Sequence, residues 1–373
     1  LNNLPRDDME KLNAYSKNLS IVDVYEPGST FKVLTTAMAL EEGKTTPNDR
    51  FYDPGYRVVD GQKIKCWRLH GHGSQTMMEG LCNSCNSVFI DLALRLGKDK
   101  LYEYFEKFGF GNKLNVDFPG ESGGIVMNKE SAKKVDYARM GFGQAIAVTP
   151  LQQINAISSV INGGTLMQPY FVDKITNSND ITILQNSKTS LRRVVSKKTS
   201  DTIKVMYEEV IKKANGINAF IPGYRVSGKT GTTELFTDGK KSSDHIASFV
   251  GAFPSDNPEY VCLVVVNKPT SGSYYGSIVA TPYAKKVFEG IIEYKNIKPS
   301  DSLESDLKES EEKIEMPNLV GLSLSKAVSI LTSLNLQYEI DGEGGVVISQ
   351  TPPPKTKVRE RAIILLGTNK NED

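Results

Sequence analysis

A charged, serine-rich stretch near residue 300 divides this chain of 373 residues into two unequal parts. Residues 298–306 contain no aromatic side chain, which is typical of a flexible linker. A chain of this length is too long for one ordinary hydrophobic core, so we expect two domains. We place the larger domain at residues 1–295, the linker at 296–314 and the smaller domain at 315–369.

The composition is that of a globular chain without a strong charge bias. Apolar residues make up 39% and charged residues 24% of the chain, and the formal net charge is +1. This balance argues against binding to nucleic acid. We find no run of about 18 apolar residues that would span a bilayer, and the polar start does not resemble a signal peptide.

Ser29 and Lys32 form a Ser-x-x-Lys motif at the predicted start of a helix. Pro27 and Gly28 indicate a turn, and residues 33–42 are rich in Leu, Met and Ala. Residues three apart lie on one helix face, so the two side chains can meet. A serine hydroxyl needs a base to become a good nucleophile, and a desolvated lysine can be that base. The motif alone is weak, because it also occurs at four other places in the chain.

Two further polar motifs follow in order along the chain. Ser84 and Asn86 lie between two stretches with helical spacing, and they offer a hydroxyl for proton relay and an amide for a substrate amide. Residues 229–231, Lys-Thr-Gly, precede an apolar strand predicted at 246–253. We expect this motif on an edge strand, where its glycine lets the backbone approach a ligand closely.

With these motifs, residues 1 to about 295 resemble the transpeptidase domain of a class B penicillin-binding protein. The segments that carry the resemblance are 25–32, 71–73, 83–86, 140–144, 228–232 and 249–254. The resemblance implies a mixed α/β (α+β) fold with helices flanking an antiparallel sheet, a helical lobe beside it and the site in the cleft between them. Relatives carry a membrane anchor, a further domain and a first strand upstream, so we expect this chain to be a fragment.

The resemblance also implies a serine D,D-transpeptidase that acts on peptidoglycan stem peptides ending in D-Ala-D-Ala and that β-lactams acylate. The implied catalytic residues are Ser29, Lys32, Ser84, Asn86 and Lys229, and the implied substrate-binding residues are Thr230, Gly231 and Thr232. A membrane glycosyltransferase partner and a place on the extracytoplasmic face of the bacterial cell membrane follow from the same resemblance. A serine β-lactamase and a non-catalytic β-lactam sensor or cell-wall-binding module are the alternatives.

The smaller domain resembles a PASTA domain. It begins at Met316-Pro317, continues with helical spacing at 325–334, and ends with alternating segments at 336–340, 346–348 and 362–366. The resemblance implies binding to muropeptide or β-lactam-like ligands. The alternative is that a single copy only spaces or supports the enzyme.

Cysteine and histidine cluster in one short segment. Five of the seven such residues in the chain fall between positions 66 and 85. Zinc takes thiolates and imidazoles in tetrahedral sites, so we predict a structural zinc site near the active site. The nominated ligands are Cys66, His72, Cys82 and Cys85, with Asp53 or His70 as an alternative fourth ligand. A disulfide such as Cys66–Cys85 and free thiols are the competing interpretations.

The thiols and the single PASTA unit together resemble the sporulation-specific group of class B enzymes. Members of that group make the cortex peptidoglycan of endospores, which would place the protein at the forespore membrane. A vegetative division enzyme shares most of these features, so a vegetative role is the alternative interpretation.

Overall fold

The computed structural model of the protein describes residues 9–213, 217–237, 240–270, 273–300, 313–342, 344–359 and 362–369. Most of the linker predicted at 296–314 therefore lies outside the described residues. The helices are α1 (Met9–Ser16), α2 (Leu19–Val22), α3 (Lys32–Glu41), α4 (Met77–Cys82), α5 (Asn86–Phe108), α6 (Lys134–Met140), α7 (Pro150–Ile161), α8 (Lys197–Lys213), α9 (Gly276–Val279), α10 (Thr281–Lys295) and α11 (Leu324–Ser333).

The strands pair mostly in short antiparallel ribbons, with one long three-stranded sheet in the larger part. The strands are β1 (Arg50–Asp53), β2 (Tyr56–Val59), β3 (Gln62–Lys65), β4 (Gly73–Thr76), β5 (Ile125–Val126), β6 (Ile146–Ala147), β7 (Thr165–Met167), β8 (Lys174–Thr176), β9 (Thr182–Gln185), β10 (Ser190–Arg193), β11 (Ser227–Thr237), β12 (Lys240–Phe253), β13 (Tyr260–Asn267), β14 (Lys313–Glu315), β15 (Gln337–Asp341), β16 (Val347–Thr351), β17 (Lys357–Arg359) and β18 (Ile363–Thr368).

Helix α3 runs through the interior of the larger part. A 3₁₀ turn at Gly28–Phe31 leads into it, and its residues from Lys32 to Ala39 are all buried. A helix that is buried on every side needs apolar or small residues all round, which explains the Leu-, Met- and Ala-rich sequence. It packs against α5, α7 and α8. The predicted helix that begins just after Ser29 is confirmed.

Helices α4 and α5 form the helical lobe that carries the second motif. Thr76 begins α4 with a capping box, because its side chain accepts the backbone N–H of Glu79 while the Glu79 carboxylate accepts that of Thr76. Helix α4 ends at Cys82 and α5 begins at Asn86. Ser84 and Asn86 thus lie at the predicted junction between two helices.

The main sheet has the order β11-β12-β13 and is antiparallel throughout. In this register Lys229 of β11 lies opposite Val250 of β12. Helix α8 packs against β11, and α10 packs against β12 and β13. Within the described residues β11 has a strand on one side only, so the Lys-Thr-Gly motif lies on an edge strand as predicted. The expected mixed fold with helices around an antiparallel sheet is confirmed.

The C-terminal unit has its own hydrophobic core. Helix α11 packs beside a sheet of order β15-β18-β16, in which β15 and β18 are parallel. A further antiparallel pair, β14 with β17, was not foreseen from the sequence. The buried core includes Met316, Leu319, Leu331, Val347 and Ile364.

Among all described residues, no helix combines the length and the apolar character needed to cross a membrane.

Candidate active site

Ser29 lies at the entrance to α3, in the floor of an open cleft. The cleft is lined by Gly28, Ser29, Trp67, Ser84, Asn86, Phe142, Gln144, Thr230, Thr232, Tyr275 and Ser277. The turn before Ser29 is tight: Gly28 has a φ of +54°, and a β-carbon at this position would collide with the Thr233 hydroxyl. The backbone N–H of Gly28 also donates to the Gly143 carbonyl at 2.9 Å. Only glycine satisfies both the φ angle and this close packing.

The amine of Lys32 is fully buried below the cleft. Its Nζ donates to the Ser84 backbone carbonyl at 2.6 Å, to Asn86 Oδ1 at 2.7 Å and to Ser84 Oγ at 3.2 Å. Burial lowers the pKa of Lys32 from 10.5 to about 8, although the negative charge of the Cys66 thiolate opposes this shift in part. A neutral amine is therefore accessible near neutral pH, as general-base chemistry requires.

The Ser84 hydroxyl lies between two buried lysines. Lys229 Nζ, which reaches up from β11, is 2.9 Å from Ser84 Oγ and also donates to the Thr230 carbonyl at 3.1 Å. Ser84 has a φ of +52°, a left-handed conformation that turns its carbonyl onto the Lys32 amine. Strained conformations of this kind persist where the surroundings hold them in place and are frequent at active sites. A hydroxyl flanked by two amines is suited to relaying a proton.

The Lys-Thr-Gly strand closely approaches the turn that carries Ser29. A β-carbon at Gly231 would lie 2.6 Å from Ser248 Oγ and 3.1 Å from the Pro27 carbonyl, so only glycine fits between the strand and the turn that carries Ser29. Thr230 and Thr232 line the cleft, and Thr232 Oγ1 accepts the backbone N–H of Gly276 at 3.1 Å. The three motifs that the sequence nominated are thus brought together around one cleft.

A second cluster lies directly beside this site. The metal-ligating atoms of Asp53, Cys66, His72 and Cys85 all lie within 4.8 Å of one another. Cys66 Sγ is 4.0 Å from Cys85 Sγ and 3.7 Å from His72 Nδ1. Because Cys85 is the residue between Ser84 and Asn86, the cluster is joined through the main chain to the turn between α4 and α5.

Asp53 is the centre of this cluster. Its carboxylate accepts five hydrogen bonds, which come from Gly55 N, His72 N, His72 Nδ1, Cys85 Sγ and Ser87 Oγ. Burial opposes ionisation, but the hydrogen bonds from the His72, Ser87 and Cys85 side chains outweigh it and hold the pKa of Asp53 far below its usual range.

The two cluster thiols differ in their protonation. The hydrogen bond from Cys85 lowers the pKa of Cys66 to about 5, and the same contact raises the pKa of Cys85 well above its ordinary value. Burial opposes the charged form of His72, yet its hydrogen bonds to Asp53 and Cys66 raise its pKa overall. A carboxylate, a thiolate and one imidazole thus share a buried site, which carries excess negative charge.

The structure brings together three of the four nominated metal ligands and replaces the fourth. Cys82 ends α4 outside the cluster, where its charged neighbours are Lys213 and Glu209 and where burial raises the pKa of its thiol to about 11. His70 is exposed and also lies outside the cluster. Asp53, one of the two alternative fourth ligands, lies within the cluster instead.

The donor set fits a tetrahedral zinc ion with small adjustments. Bonds of about 2.3 Å to sulfur place two thiolate ligands about 3.8 Å apart, close to the 4.0 Å between Cys66 Sγ and Cys85 Sγ. The 2.7 Å between His72 Nδ1 and Asp53 Oδ2 would have to widen for both to bind one ion. His72 Nε2 is buried and has no hydrogen-bond partner among the residues that the structure describes.

Some residues around the cleft were not found from the sequence. Trp67 and Tyr275 line it, and Ser87 binds Asp53. None belongs to a short motif with an obvious chemical role. The sequence offered one indication only: Trp67 and Ser87 directly follow residues nominated for the site, Cys66 and Asn86.

The comparisons agree on one family for the larger part. A family described as penicillin binding protein transpeptidase domain matches residues 1–289, and the PASTA domain family matches residues 314–370. Stage V sporulation protein D of Bacillus subtilis is 40% identical over 356 residues, which are 93% of this chain and 54% of that protein. The peptidoglycan D,D-transpeptidase FtsI homolog of Mesostigma viride is 34% identical over 309 residues, 76% of this chain and 52% of that protein.

A solved structure supports the same fold. The apo transpeptidase domain of Burkholderia pseudomallei penicillin-binding protein 3 superposes with a TM-score of 0.68 at 28% identity, covering 77% of this chain and 84% of that one. The chain spans about half the length of the curated relatives that it matches.

Proposed function

This chain belongs to the penicillin-binding protein transpeptidase family, and we propose that it is a serine D,D-transpeptidase that cross-links the stem peptides of peptidoglycan. The observation that carries the proposal is the position of the Ser84 hydroxyl, 3.2 Å from Lys32 Nζ and 2.9 Å from Lys229 Nζ in the wall of the cleft that holds Ser29. A chain of protonatable groups beside a nucleophile is what acyl transfer needs.

In the first step Ser29 Oγ attacks the carbonyl carbon of the penultimate D-alanine. The hydroxyl proton moves to the neutral amine of Lys32, and the peptide bond to the last D-alanine breaks. Ser84 then relays this proton from Lys32 to the departing amine, with Lys229 beside it. The products are an ester on Ser29 and free D-alanine, which is the two-step logic of covalent catalysis.

In the second step the amine of a neighbouring stem peptide attacks this ester. The carbonyl carbon of the ester forms the new peptide bond with the amine nitrogen, and the bond from that carbon to Ser29 Oγ breaks. The amine proton returns to Ser29 Oγ through Ser84 and Lys32. The carboxylate of the substrate would bind Thr230 and Thr232, and its amide would bind Asn86. Backbone N–H groups of Ser29 and Thr232 would form the oxyanion hole.

The test is acylation by a fluorescent penicillin together with release of D-alanine from a stem-peptide analogue. We expect one label per chain and release of D-alanine, with both lost in Ser29→Ala. Ser305→Ala is a matched control, because that serine belongs to a Ser-x-x-Lys tetrapeptide outside the larger domain. Acylation without release of D-alanine would favour a sensor or binding module, and steady turnover of penicillin would favour a β-lactamase.

We further propose that this activity serves the spore cortex, with the chain on the extracytoplasmic face of the forespore membrane and a membrane glycosyltransferase as its partner. The support is the 40% identity to stage V sporulation protein D of Bacillus subtilis. A chimera with the upstream part of that relative should restore heat-resistant spores to a strain lacking it, and the Ser29→Ala chimera should not. Failure of the active chimera would favour a vegetative role.

Asp53, Cys66, His72 and Cys85 are proposed to hold a structural zinc ion. The ion would neutralise the excess negative charge of the cluster and fix Cys85, and with it the turn that presents Ser84 and Asn86. It supplies no reacting group in this proposal. A Cys66–Cys85 disulfide is the competing state, and one cluster cannot hold both, because a disulfide removes the two thiolates.

Metal analysis of protein purified without added metal tests the zinc proposal. We expect about one zinc per chain in the wild type, loss of it in Cys66→Ser and retention in Cys82→Ser, since Cys82 lies outside the cluster. Equal loss in both variants would contradict the assignment. Absence of zinc with two thiols missing from a titration would favour the disulfide, and absence with four titratable thiols would favour free cysteines.

A further inference from the structure

Glu26 is a half-buried acidic residue that belongs to none of the three motifs. It lies three positions before Ser29, and it is not among the residues that line the cleft. Burial of a carboxylate costs free energy unless hydrogen bonds compensate for it. Burial raises the pKa of Glu26, and a hydrogen bond from a backbone N–H and the charge of Arg139 oppose this shift. The position of that backbone N–H indicates what the carboxylate does.

The hydrogen bond of Glu26 joins two distant segments of the chain. Its Oε1 accepts the backbone N–H of Ala145 at 2.9 Å, across 119 positions. Ala145 has a φ of +57°, in the left-handed region that residues with a β-carbon rarely adopt. Conformations of this kind persist where the surroundings hold them in place, and the Glu26 carboxylate is one of the groups that hold this one.

The segment that Glu26 holds forms one wall of the cleft. Phe142 and Gln144 line the cleft. Gly143 between them packs against the nucleophile's turn, since a β-carbon there would lie 2.2 Å from the Gly28 carbonyl oxygen. Within the part of the chain that the structure describes, the side-chain amide of Gln144 makes no hydrogen bond. This amide is thus available to a peptide in the cleft.

The same two segments are also joined through their backbones. The Gly28 N–H donates to the Gly143 carbonyl at 2.9 Å, and Tyr25 and Val148 exchange two hydrogen bonds of 3.0 Å each. These backbone bonds lie on either side of Gln144 in the chain. Loss of the carboxylate should therefore displace Gln144 and leave the flanking backbone paired.

We propose that Glu26 is a positioning residue, whose carboxylate sets the place of Gln144 in the cleft wall and thereby the affinity of the cleft for the stem peptide. This role rests on the proposed transpeptidase function and adds to it a residue outside the cleft. Lys32, Ser84 and Lys229 are held by bonds to one another and to other elements. The chemical step should therefore keep nearly its usual rate once the substrate is bound.

Release of D-alanine from a stem-peptide analogue, measured over a range of concentrations, tests this role. In Glu26→Ala we expect KM to rise about 10-fold, the effect of about one lost hydrogen bond. The kcat should stay within about 2-fold, because binding is lost rather than chemistry. Glu26→Gln is the conservative variant: its amide oxygen can still accept the Ala145 N–H, so KM should stay within about 3-fold of the wild type.

Two further variants separate positioning from support of the fold. Glu121→Ala is the matched control, because Glu121 is also half-buried and accepts the backbone N–H groups of Leu114 and Val116, none of which lines the cleft. It should lower the unfolding temperature and leave KM unchanged. Glu26→Asp keeps the charge but is one methylene shorter, so it should raise KM, and it provides the measurement if Glu26→Ala does not fold.

A double-mutant cycle shows whether Glu26 acts through Gln144. Gln144→Ala alone should raise KM, and adding Glu26→Ala should raise it little further, since the displaced group is already absent. If the two effects instead multiply, Glu26 does not act through Gln144 and the proposed role is wrong.

The outcomes distinguish this role from the proposed function. If the wild type releases D-alanine but Glu26→Ala and Glu26→Asp keep its KM, Glu26 only supports the fold and the positioning role alone fails. If the wild type neither releases D-alanine nor is labelled by penicillin, the transpeptidase function fails and the positioning role fails with it.

Discussion

At the scale of single residues, Lys32 shows how burial changes the pKa of an amine. The amine has no exposed surface, and burial lowers its pKa to about 8, within reach of physiological pH. Its three acceptors are supplied by the turn of the second motif. The residue types and their order along the chain could be predicted from the sequence. The left-handed Ser84 that turns its carbonyl to the lysine could not, because nothing in a Ser-x-Asn tripeptide specifies it.

The rate of acylation should depend on pH through Lys32. The neutral amine is the active form, so acylation efficiency should rise between about pH 7 and about pH 9, with its midpoint at the pKa of about 8, and stay level above that range. Rates of labelling by a fluorescent penicillin, measured across this range, check the profile. Lys32→Arg, which stays charged throughout, should be inactive at every pH. A flat profile in the wild type would contradict the role of Lys32 as the base.

At the scale of elements, the turn that carries Ser84 and Asn86 is held by β1 as well as by the helices α4 and α5 on either side of it. Asp53, the last residue of β1, receives the Ser87 hydroxyl from the first turn of α5 at 2.6 Å. The helices, the edge strand and the helical junction could be predicted, because apolar periodicity and turn residues are local signals. The bond between Asp53 and Ser87 joins residues 34 positions apart, and local patterns carry no information on such a pair.

Ser87→Ala should lower the free energy of unfolding by about 1.5–3 kcal/mol, the usual range for a hydrogen bond to a charged group. Because Ser87 follows Asn86, acylation efficiency should fall as well. Urea denaturation and penicillin labelling measure the two effects. Ser158→Ala is a suitable control, since Ser158 Oγ only donates to the carbonyl of Ile154 within α7, and it should change both quantities little.

At the scale of the whole molecule, the site exists only where separate parts of the larger domain meet. The Ser84 hydroxyl binds Lys32 across 52 positions and Lys229 across 145 positions of the chain. The sequence indicated the three motifs and their order. That they would meet in one cleft was expected from the family resemblance. That Asp53 rather than Cys82 belongs to the cluster could be learned only from the fold, because α4 places Cys82 on the side that faces α8.

The hydrogen bonds that converge on Asp53 bear on antibiotic resistance. In the proposed reaction a β-lactam acylates Ser29 with the help of Ser84 and Asn86, whereas Asp53 and Ser87 are not among the residues that line the cleft. Changes at these two positions would slow acylation while leaving the cleft walls chemically intact. Selection for reduced susceptibility, in a bacterium that depends on this protein, should therefore enrich substitutions at positions that the drug never touches.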